Sequence, residues 1–307
     1  MANYLCIDSG TTNTRIALVC NNQLCDIVKY NIGATKSIDG NEELKSTIKT
    51  GISDILNRNN LSENNITAIL ASGMITSKFG LAEIPHILVP VGIYELKQNI
   101  KTVSFKEISS LPINFIPGVK INSEDPYNAD IMRGEETELM GLLQKAGLYV
   151  FPGSHNKIIR VNDLGQIETF ESLLTGEMIS AISNHTILRD VLDISKSELE
   201  TKLLLEGYIY AKNKGLGKAL FQVRVLKEIG NLGLNETYNF FIGAVLCDDI
   251  EKIISMNPSH VYVGGNKLKE AIVTILKNTT HIKTTEFSNK ECESAVAIGM
   301  VKIFEKT

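Results

Sequence analysis

The chain has 307 residues, of which 43% are hydrophobic, and 31 basic side chains stand against 35 acidic ones for a formal net charge of −4. This balance argues against a nucleic-acid-binding surface, which is expected to carry a basic patch or stripe, and the length is typical of two domains with a ligand cleft between them. The N-terminus lacks a secretory signal and no segment is apolar for long enough to span a bilayer, so the sequence predicts a cytoplasmic protein with no membrane partner.

The first half of the chain predicts a β-β-β-α-β order. Three strands are predicted over residues 4–8, 14–20 and 23–32. The second and third strands are joined by Asn21-Asn22, a connection that suits a tight hairpin. Leucine and isoleucine recur at helical spacing from residue 44 to residue 56, before an apolar strand at 66–71.

The second half predicts a looser repeat of this order. Strands are predicted near 148–152, 157–161 and 167–170, followed by a helix over 176–189. Helices then dominate residues 196–255, and two apolar stripes are interpreted as core faces: Leu203, Leu204, Tyr208 and Ala211, and Phe221, Val225 and Ile229. A buried strand at 259–263, a helix from 268, a strand at 281–287 and a closing helix complete the chain. Two such halves around a cleft form the simplest architecture.

The turn between the first two strands is typical of a phosphate grip. Backbone N–H groups in such a turn can point at phosphate oxygens, and Asp8 can hold the cation that accompanies a nucleotide. An ordinary hairpin turn is the alternative. The phosphate-binding candidates are Gly10, Thr11, Thr12, Asn13 and Arg15.

Two segments of the second half offer further nucleotide contacts. The turn Gly153, Ser154, His155 and Lys157 holds the same relative position as the first grip and can receive phosphates. Gly264 and Gly265, followed by Asn266, can let an adenosine approach the backbone closely. A surface hairpin and a plain strand-to-helix glycine turn are the alternatives.

The segment from Asp130 to Glu136 supplies candidates for acid–base chemistry. Asp130, Glu135 or Glu136 can accept a proton from an alcohol, and Arg133 can serve as a cation. The alternative is a helix start, where acidic residues favour the helix dipole. Thr175 and Glu177 are interpreted as another helix-start signal.

A loop after a buried strand supplies the substrate candidates. These are Ser72, Gly73, Met74 and Ile75, with Arg133 for a carboxylate. A simple strand-to-helix connection is the alternative.

Four motifs together resemble the 2-dehydro-3-deoxygalactonokinase family of bacterial sugar-acid kinases. They are Ile7-Asp8-Ser9-Gly10-Thr11-Thr12-Asn13-Thr14-Arg15, Ala71-Ser72-Gly73-Met74-Ile75, Met132-Arg133-Gly134-Glu135-Glu136-Thr137 and Phe151-Pro152-Gly153-Ser154-His155-Asn156-Lys157. The family commonly has Leu, Thr, Ser and Trp at four positions in and after the last motif. This chain has Phe151, Ser154, Asn156 and Ile158 there, respectively.

The resemblance implies the actin-like ATPase fold of the acetate and sugar kinase, heat-shock chaperone and actin superfamily. We expect an α/β protein of two ribonuclease-H-like domains with a nucleotide and substrate cleft between them. The N-terminal domain, residues 1–129, would bind the sugar acid and the C-terminal domain, 130–307, most of the nucleotide. The last helix is placed either in the second domain or back against the first.

The resemblance also implies a reaction. ATP with Mg²⁺, organised by Asp8, would phosphorylate 2-dehydro-3-deoxy-D-galactonate at the 6-hydroxyl, giving 2-dehydro-3-deoxy-6-phosphogalactonate and ADP in D-galactonate degradation. Two alternatives stay open: another small-molecule kinase of the same fold, for an amino sugar or pantothenate, and a non-catalytic actin-like nucleotide switch. The sequence is compatible with a homodimer but does not determine the oligomeric state.

Overall fold

The computed structural model describes residues 2–34, 41–192, 198–265 and 268–306. The predicted nucleotide contact Asn266 lies outside the described residues. The chain forms two compact units: the first comprises residues 1–146, 161–170 and 290–307, and the second comprises residues 147–160 and 171–289.

The first unit is built on a six-stranded mixed sheet in the order β3-β2-β1-β4-β7-β6, beside a small sheet in the order β5-β8-β9. Its strands are β1 (Asn3–Ser9), β2 (Thr14–Cys20), β3 (Gln23–Tyr30), β4 (Ala68–Gly73), β5 (Ile87–Leu88), β6 (Lys101–Val103), β7 (Ile113–Phe115), β8 (Val119–Ile121) and β9 (Asp130–Met132). Its helices are α1 (Glu42–Arg58), α2 (Ile93–Gln98), α3 (Glu135–Leu142) and most of α10 (Asn289–Glu305).

β1 is the central strand of this sheet. Tyr4, Leu5, Cys6 and Ile7 are all buried, as expected for a strand covered on both faces. β1 pairs antiparallel with β2 and parallel with β4. The hairpin from β2 to β3 turns at Asn21 and Asn22, whose positive φ angles of 50° and 61° suit the tight turn that the sequence predicted.

The second unit repeats this arrangement around a five-stranded sheet in the order β12-β11-β10-β13-β14. The strands of this sheet are β10 (Gly147–Phe151), β11 (Asn156–Val161), β12 (Ile167–Leu173), β13 (His260–Val263) and β14 (Lys283–Glu286). Residue 161 of β11 and residues 167–170 of β12 are grouped with the first unit. The helices of the second unit are α4 (Thr175–His185), α5 (Thr201–Lys214), α6 (Leu216–Glu228), α7 (Leu234–Val245), α8 (Cys247–Ser255) and α9 (Leu268–Thr279).

The strand orders confirm the predicted α/β class and its two related halves. In both sheets the first strand of the repeat is central, with its hairpin partners on one side. Strands that run parallel to it lie on its other side. This is the strand order of a ribonuclease-H-like unit, and it brings the turn after each central strand to the edge where the parallel strands end.

The division into compact units does not coincide with the predicted boundary at residue 130. β9 pairs with β8, which keeps residues 130–132 in the first unit. Residues 290–307 also belong to that unit, where the Tyr4 hydroxyl lies 2.9 Å from a Glu305 carboxylate oxygen. Within the described residues, no helix is both long enough and apolar enough to cross a bilayer.

One predicted core stripe is wrong and the other is confirmed. Leu203, Leu204, Tyr208 and Ala211 of α5 are buried. On α6, Phe221 and Ile229 are 53% and 77% exposed, because this helix buries its Ala219 and Val223 side instead. Both faces of α6 carry apolar residues, so periodicity alone does not select the buried one.

Helices α5 and α7 cross with their backbones in close contact. A Cβ atom added at Gly243 would lie 1.9 Å from the Leu204 carbonyl oxygen, and one added at Gly207 would lie 2.0 Å from the Phe240 carbonyl oxygen. Since real side chains do not tolerate such approaches, glycine at both positions is a condition of this packing.

We expect Gly243→Ala to destabilise the protein by about 1–3 kcal/mol, because the added methyl group forces α5 and α7 apart. Gly217→Ala on α6 is the matched control, since an added Cβ there meets no atom within 4 Å. That substitution should be neutral or stabilise by up to about 1 kcal/mol through helix propensity. Urea denaturation measures both, and equal effects of the two substitutions would contradict the packing argument.

Candidate active site

Asp8 lies near the end of β1, between the two neighbouring strands. Its register partners are Arg15 on β2 and Ser72 on β4. An Arg15 guanidinium nitrogen lies 3.4 Å from Asp8 Oδ2, and the Asp8 side chain is 25% exposed. Burial raises the pKa of Asp8, and the charge of Arg15 opposes that shift. The carboxylate is therefore oriented and still reaches solvent.

The turn after β1 is fixed by its own hydrogen bonds. The Ser9 and Thr14 hydroxyls are 2.8 Å apart, and the Gly10 N–H donates to the Asn13 carbonyl over 2.9 Å. This bond occupies the Gly10 amide, one of the groups that the sequence predicted to face phosphate. Thr11 and Thr12 are exposed, so this part of the turn is accessible to a ligand.

Two glycines with positive φ bring three loops together beside Asp8. Gly73 has φ 91°, and a Cβ there would lie 2.7 Å from the Ser9 carbonyl oxygen and 3.5 Å from Asp8 Oδ1. Gly134 has φ 118°, and its added Cβ would lie 3.5 Å from the Gly73 Cα. The predicted substrate loop and the acidic segment thus meet at the first phosphate grip, within one unit.

Glu136 is buried at the start of α3 and is held by several donors. Its two carboxylate oxygens lie 2.9 and 2.8 Å from the Gly134 N–H. The Thr137 hydroxyl donates to it over 3.1 Å, and the Ser72 hydroxyl lies 3.4 Å away. Burial and the nearby Glu135 raise the pKa of Glu136 to about 7, while these hydrogen bonds oppose the shift. Glu136 is therefore placed to hold the segment together.

Glu135 and Glu138 are half-buried on the first turn of α3, three residues apart and so on one face of the helix. Burial raises the pKa of Glu138 to about 8, with further contributions from the charges of Glu135 and Asp8. Glu138 is therefore close enough to Asp8 for the two charges to interact. Sequence reasoning missed Glu138, although its spacing from Glu135 on a helix was a usable signal.

Arg133 clamps the short helical turn at Met74–Thr76. Its guanidinium donates to the Thr76 carbonyl over 2.7 Å and to the Thr76 hydroxyl. It also donates to the Ile84 carbonyl over 3.0 Å and contacts His86 Nδ1 at 3.1 Å. The two terminal guanidinium nitrogens thus make four contacts within the described residues. A bidentate grip on a substrate carboxylate would have to replace some of these bonds.

The remaining first-unit candidates differ in their burial and in their hydrogen-bond partners. The Ser72 hydroxyl is buried and lies 2.7 Å from that of Thr137. Ile75 is buried in the core of the first unit, while Met74 is half-buried. Asp130 begins β9, where it pairs with Ile121 and accepts the Ile131 N–H over 2.6 Å. The structure therefore groups Ser72 and Gly73 with the acidic segment, through contacts that are internal to the protein.

In the second unit, the turn after β10 presents Ser154 and His155 to solvent. His155 Nε2 lies 3.0 Å from a Glu177 carboxylate oxygen, and the Glu177 N–H donates to the Ser154 carbonyl over 3.0 Å. Lys157 is buried, and its amine donates to the Ser172 hydroxyl. The cation that the sequence predicted for phosphate binding is therefore engaged inside the unit.

The two glycine candidates of the second unit lie against this turn. The Gly264 N–H donates to the Val150 carbonyl over 2.9 Å, and an added Cβ at Gly265 would lie 2.7 Å from the Pro152 carbonyl oxygen. The structure thus places Gly264 beside the end of β10 and Gly265 against Pro152, the residue that begins the turn. The protein's own packing requires glycine at position 265, because only glycine adopts a φ of 81° and leaves room for Pro152.

Helix α4 begins at Thr175, as the helix-start signal predicted, but the Thr175 side chain bonds to a distant residue. Its hydroxyl is buried and donates to Asp249 of α8, over 2.8 Å to Oδ2 and 3.0 Å to Oδ1. Asp249 also accepts the Asn156 side-chain N–H over 2.6 Å. Sequence reasoning missed Asp249, because a single aspartate on an amphipathic helix gives no sign of a distant buried partner.

The residues around Asp8 fit a magnesium ion that keeps most of its waters. Among the described residues, no three His, Cys, Asp or Glu side chains converge on a metal site. Mg²⁺ commonly binds through one or two carboxylates together with waters and substrate phosphates. A single oriented and partly exposed carboxylate beside a phosphate-type turn meets that requirement.

Comparison with known protein sequences identifies the family. The model of the 2-keto-3-deoxy-galactonokinase family matches residues 8–303. A 2-dehydro-3-deoxygalactonokinase of Escherichia coli is 25% identical over 252 residues, which cover 80% of this chain and 78% of that protein. A probable 2-dehydro-3-deoxygalactonokinase of Rhizobium meliloti is 28% identical over 192 residues, covering 60% of this chain and 58% of the relative. The keto and dehydro names denote the same carbonyl group.

Solved structures support the fold. A protein from Sinorhizobium meliloti that is assigned as a 2-dehydro-3-deoxygalactonokinase superposes with a TM-score of 0.79 at 20% identity, covering 98% of this chain and 95% of that one. The activator of 2-hydroxyisocaproyl-CoA dehydratase from Clostridium difficile, solved with ADPNP, superposes with a TM-score of 0.51 at 9% identity, covering 98% and 93% of the two chains. These likenesses confirm the predicted actin-like ATPase fold.

Glu136→Gln should change how stability depends on pH. The pKa of Glu136 is about 7 in the folded protein and near 4.5 in an unfolded chain, so the folded state favours the protonated form. The contribution of Glu136 to stability is therefore complete below pH 4.5 and is lost as the pH rises to 7. Relative to wild type, E136Q should gain up to about 3 kcal/mol between pH 4.5 and pH 8.

Urea denaturation at both pH values measures this difference, with the exposed Glu43→Gln on α1 as the control. A stability difference between wild type and E136Q that stays constant with pH would contradict the assignment.

Proposed function

Because the chain belongs to the 2-keto-3-deoxy-galactonokinase family, whose model matches residues 8–303, we propose that it phosphorylates 2-dehydro-3-deoxy-D-galactonate at the 6-hydroxyl with ATP. The products are 2-dehydro-3-deoxy-6-phosphogalactonate and ADP, a step of D-galactonate degradation. The observation that carries the proposal is the family match over nearly the whole chain. The meeting of Asp8, Gly73 and Gly134 in one cluster adds a physical basis for it.

In this proposal Asp8 and the turn that follows it handle the transferring phosphoryl group. Asp8 would hold Mg²⁺ through its water shell, and the metal neutralises charge on the phosphates. Thr11, Thr12 and Asn13 would donate hydrogen bonds to phosphoryl oxygens. Arg15, whose side chain is 54% exposed, would add positive charge there. Its ion pair with Asp8 supports this role, because the guanidinium already lies beside the carboxylate that would hold the metal.

We assign the proton acceptor to Glu135 rather than to Glu136 or Asp130. The substrate hydroxyl oxygen attacks the γ-phosphorus, the bond from that phosphorus to the bridging oxygen breaks, and the hydroxyl proton passes to the carboxylate as ADP leaves. Glu136 is buried and engaged by the Gly134 N–H and the Ser72 and Thr137 side chains. Glu135 is half-buried rather than buried, and the Arg133 N–H donates to its Oε2 over 3.1 Å and so orients the carboxylate, which supports its choice.

The other predicted residues complete the proposal. Gly153, Ser154 and His155 would face the terminal phosphates, while Gly264, Gly265 and Asn266 would face the adenosine. Ser72, Gly73, Met74 and Ile75 would shape the sugar-acid site, and Arg133 would support it by holding the Met74–Thr76 turn. Lys157 would act on the nucleotide loop through Ser172. We further propose a cytoplasmic enzyme that acts without nucleic acid and is compatible with a homodimer.

The proposal is tested by measuring ADP release across sugar acids, amino sugars and pantothenate. We expect 2-dehydro-3-deoxy-D-galactonate to be the preferred acceptor. Asp8→Asn should lower kcat/KM by at least about 100-fold, because the amide cannot hold the hydrated metal as a carboxylate does. Preference for an amino sugar or pantothenate, or nucleotide-dependent assembly without ADP release, would favour the alternative functions. Parent activity in D8N would refute the role of Asp8.

Glu135→Gln should lower kcat by about 10²- to 10⁴-fold, the range typical of a positioned general base. The affinity for ATP should change little, since Glu135 is not assigned to the nucleotide. Asp130→Asn is the control and should retain most activity. A larger loss in D130N than in E135Q would transfer the base role to Asp130.

A further inference from the structure

A buried carboxylate supports the second-unit turn from behind. Asp249 is 1% exposed and lies in the first turn of α8. Within the described residues, its side chain forms no ion pair and accepts hydrogen bonds from two neutral groups, the Asn156 amide and the Thr175 hydroxyl. A buried charge is stable only where such donors surround it. These donors therefore hold the buried Asp249 carboxylate in one position.

Asn156 connects this carboxylate to the turn. Its Nδ2 donates to Asp249 over 2.6 Å, while its Oδ1 accepts the Gly153 N–H over 2.9 Å. The amide group thus lies between a fixed anion and the backbone of the turn. Because both ends of the amide are engaged, the turn cannot shift without breaking one of these bonds.

Thr175 connects the same carboxylate to the start of α4, which packs directly on the turn. An added Cβ at Gly176 would lie 2.0 Å from the Gly153 carbonyl oxygen. The Glu177 N–H donates to the Ser154 carbonyl over 3.0 Å. Asp249 therefore fixes both the turn and the helix end that packs against it.

We propose that Asn156 and Asp249 form a positioning pair that sets the backbone of residues 152–155 for binding nucleotide phosphates. The inference rests on the proposed function for its ligand, and it concerns residues that would not touch the ligand themselves.

A charge swap tests the pair. Asn156→Asp places two carboxylates in direct contact, while Asn156→Asp combined with Asp249→Asn restores one carboxylate and one amide in exchanged positions. In the swapped pair, the carboxylate at position 156 can still accept the Gly153 N–H, and the amide at position 249 can donate to that carboxylate and accept from Thr175. Asp249→Asn alone keeps the shape and removes the charge. Asn213→Asp on the exposed end of α5 is the matched control.

Calorimetric titration with MgATP is the first readout. We expect N156D to weaken binding at least tenfold, and the double variant to return to within about threefold of wild type. The KM for the sugar acid should stay within about twofold in every variant, which a general structural defect would not allow. Should N156D fail to fold, Asn156→Ser removes the bridge without adding charge and should weaken MgATP binding several-fold.

Amide hydrogen exchange of residues 152–158 is the second readout and needs no ligand. Exchange should accelerate in N156D or N156S and slow again in the swapped variant. Wild-type MgATP affinity in N156D, or a stable swapped variant that binds as weakly as N156D, would overturn the pair. If the wild type binds no MgATP, the proposed function fails, and exchange alone decides the pair: unchanged exchange in both N156D and N156S refutes it.

Discussion

The first unit depends on the parallel pairing of β1 with β4. This register places Asp8 beside Ser72 and Ser9 beside Gly73, so the end of one strand carries the carboxylate and the end of the next carries the glycine that leaves room for it. A side chain at Gly73 would meet the Ser9 carbonyl and approach Asp8. The backbone of Gly134 can then approach Gly73, and α3 begins beside Asp8. The register of β1 and β4 therefore also determines where the two glycines with positive φ and the acidic first turn of α3 lie.

In the two units, different groups hold the turn that follows the central strand. In the first, the turn after the central strand is held by the Ser9 and Thr14 hydroxyls and by Gly33, which packs against the Thr11 backbone. In the second, a buried carboxylate and an amide hold the turn. Hydrogen bonds to charged groups contribute about 1.5–3 kcal/mol each, so the second arrangement is stiff but intolerant of losing one partner.

Much of this could be predicted from the sequence, and the misses have physical causes. The β-β-β-α-β order follows from local periodicity, and the turn at Asp8 follows from local composition. Periodicity could not choose between the two apolar sides of α6, because only tertiary packing decides which one is covered. Lys157 and Arg133 were expected to face ligands, but their bonds to Ser172 and Thr76 depend on contacts between distant segments. Asp249 was missed for the same reason.

The path of the chain between the units bears on the order of folding during synthesis. Residues 290–307 belong to the first unit, where the Cys6 thiol contacts the Ala297 carbonyl at 3.6 Å across 291 residues of sequence. The second unit is made from residues 147–160 and 171–289. A ribosome therefore releases all of the second unit before it releases the helix that completes the first. Until then, the side of β1 that α10 later covers exposes apolar surface. During that time the nascent chain can bind chaperones or aggregate through this surface.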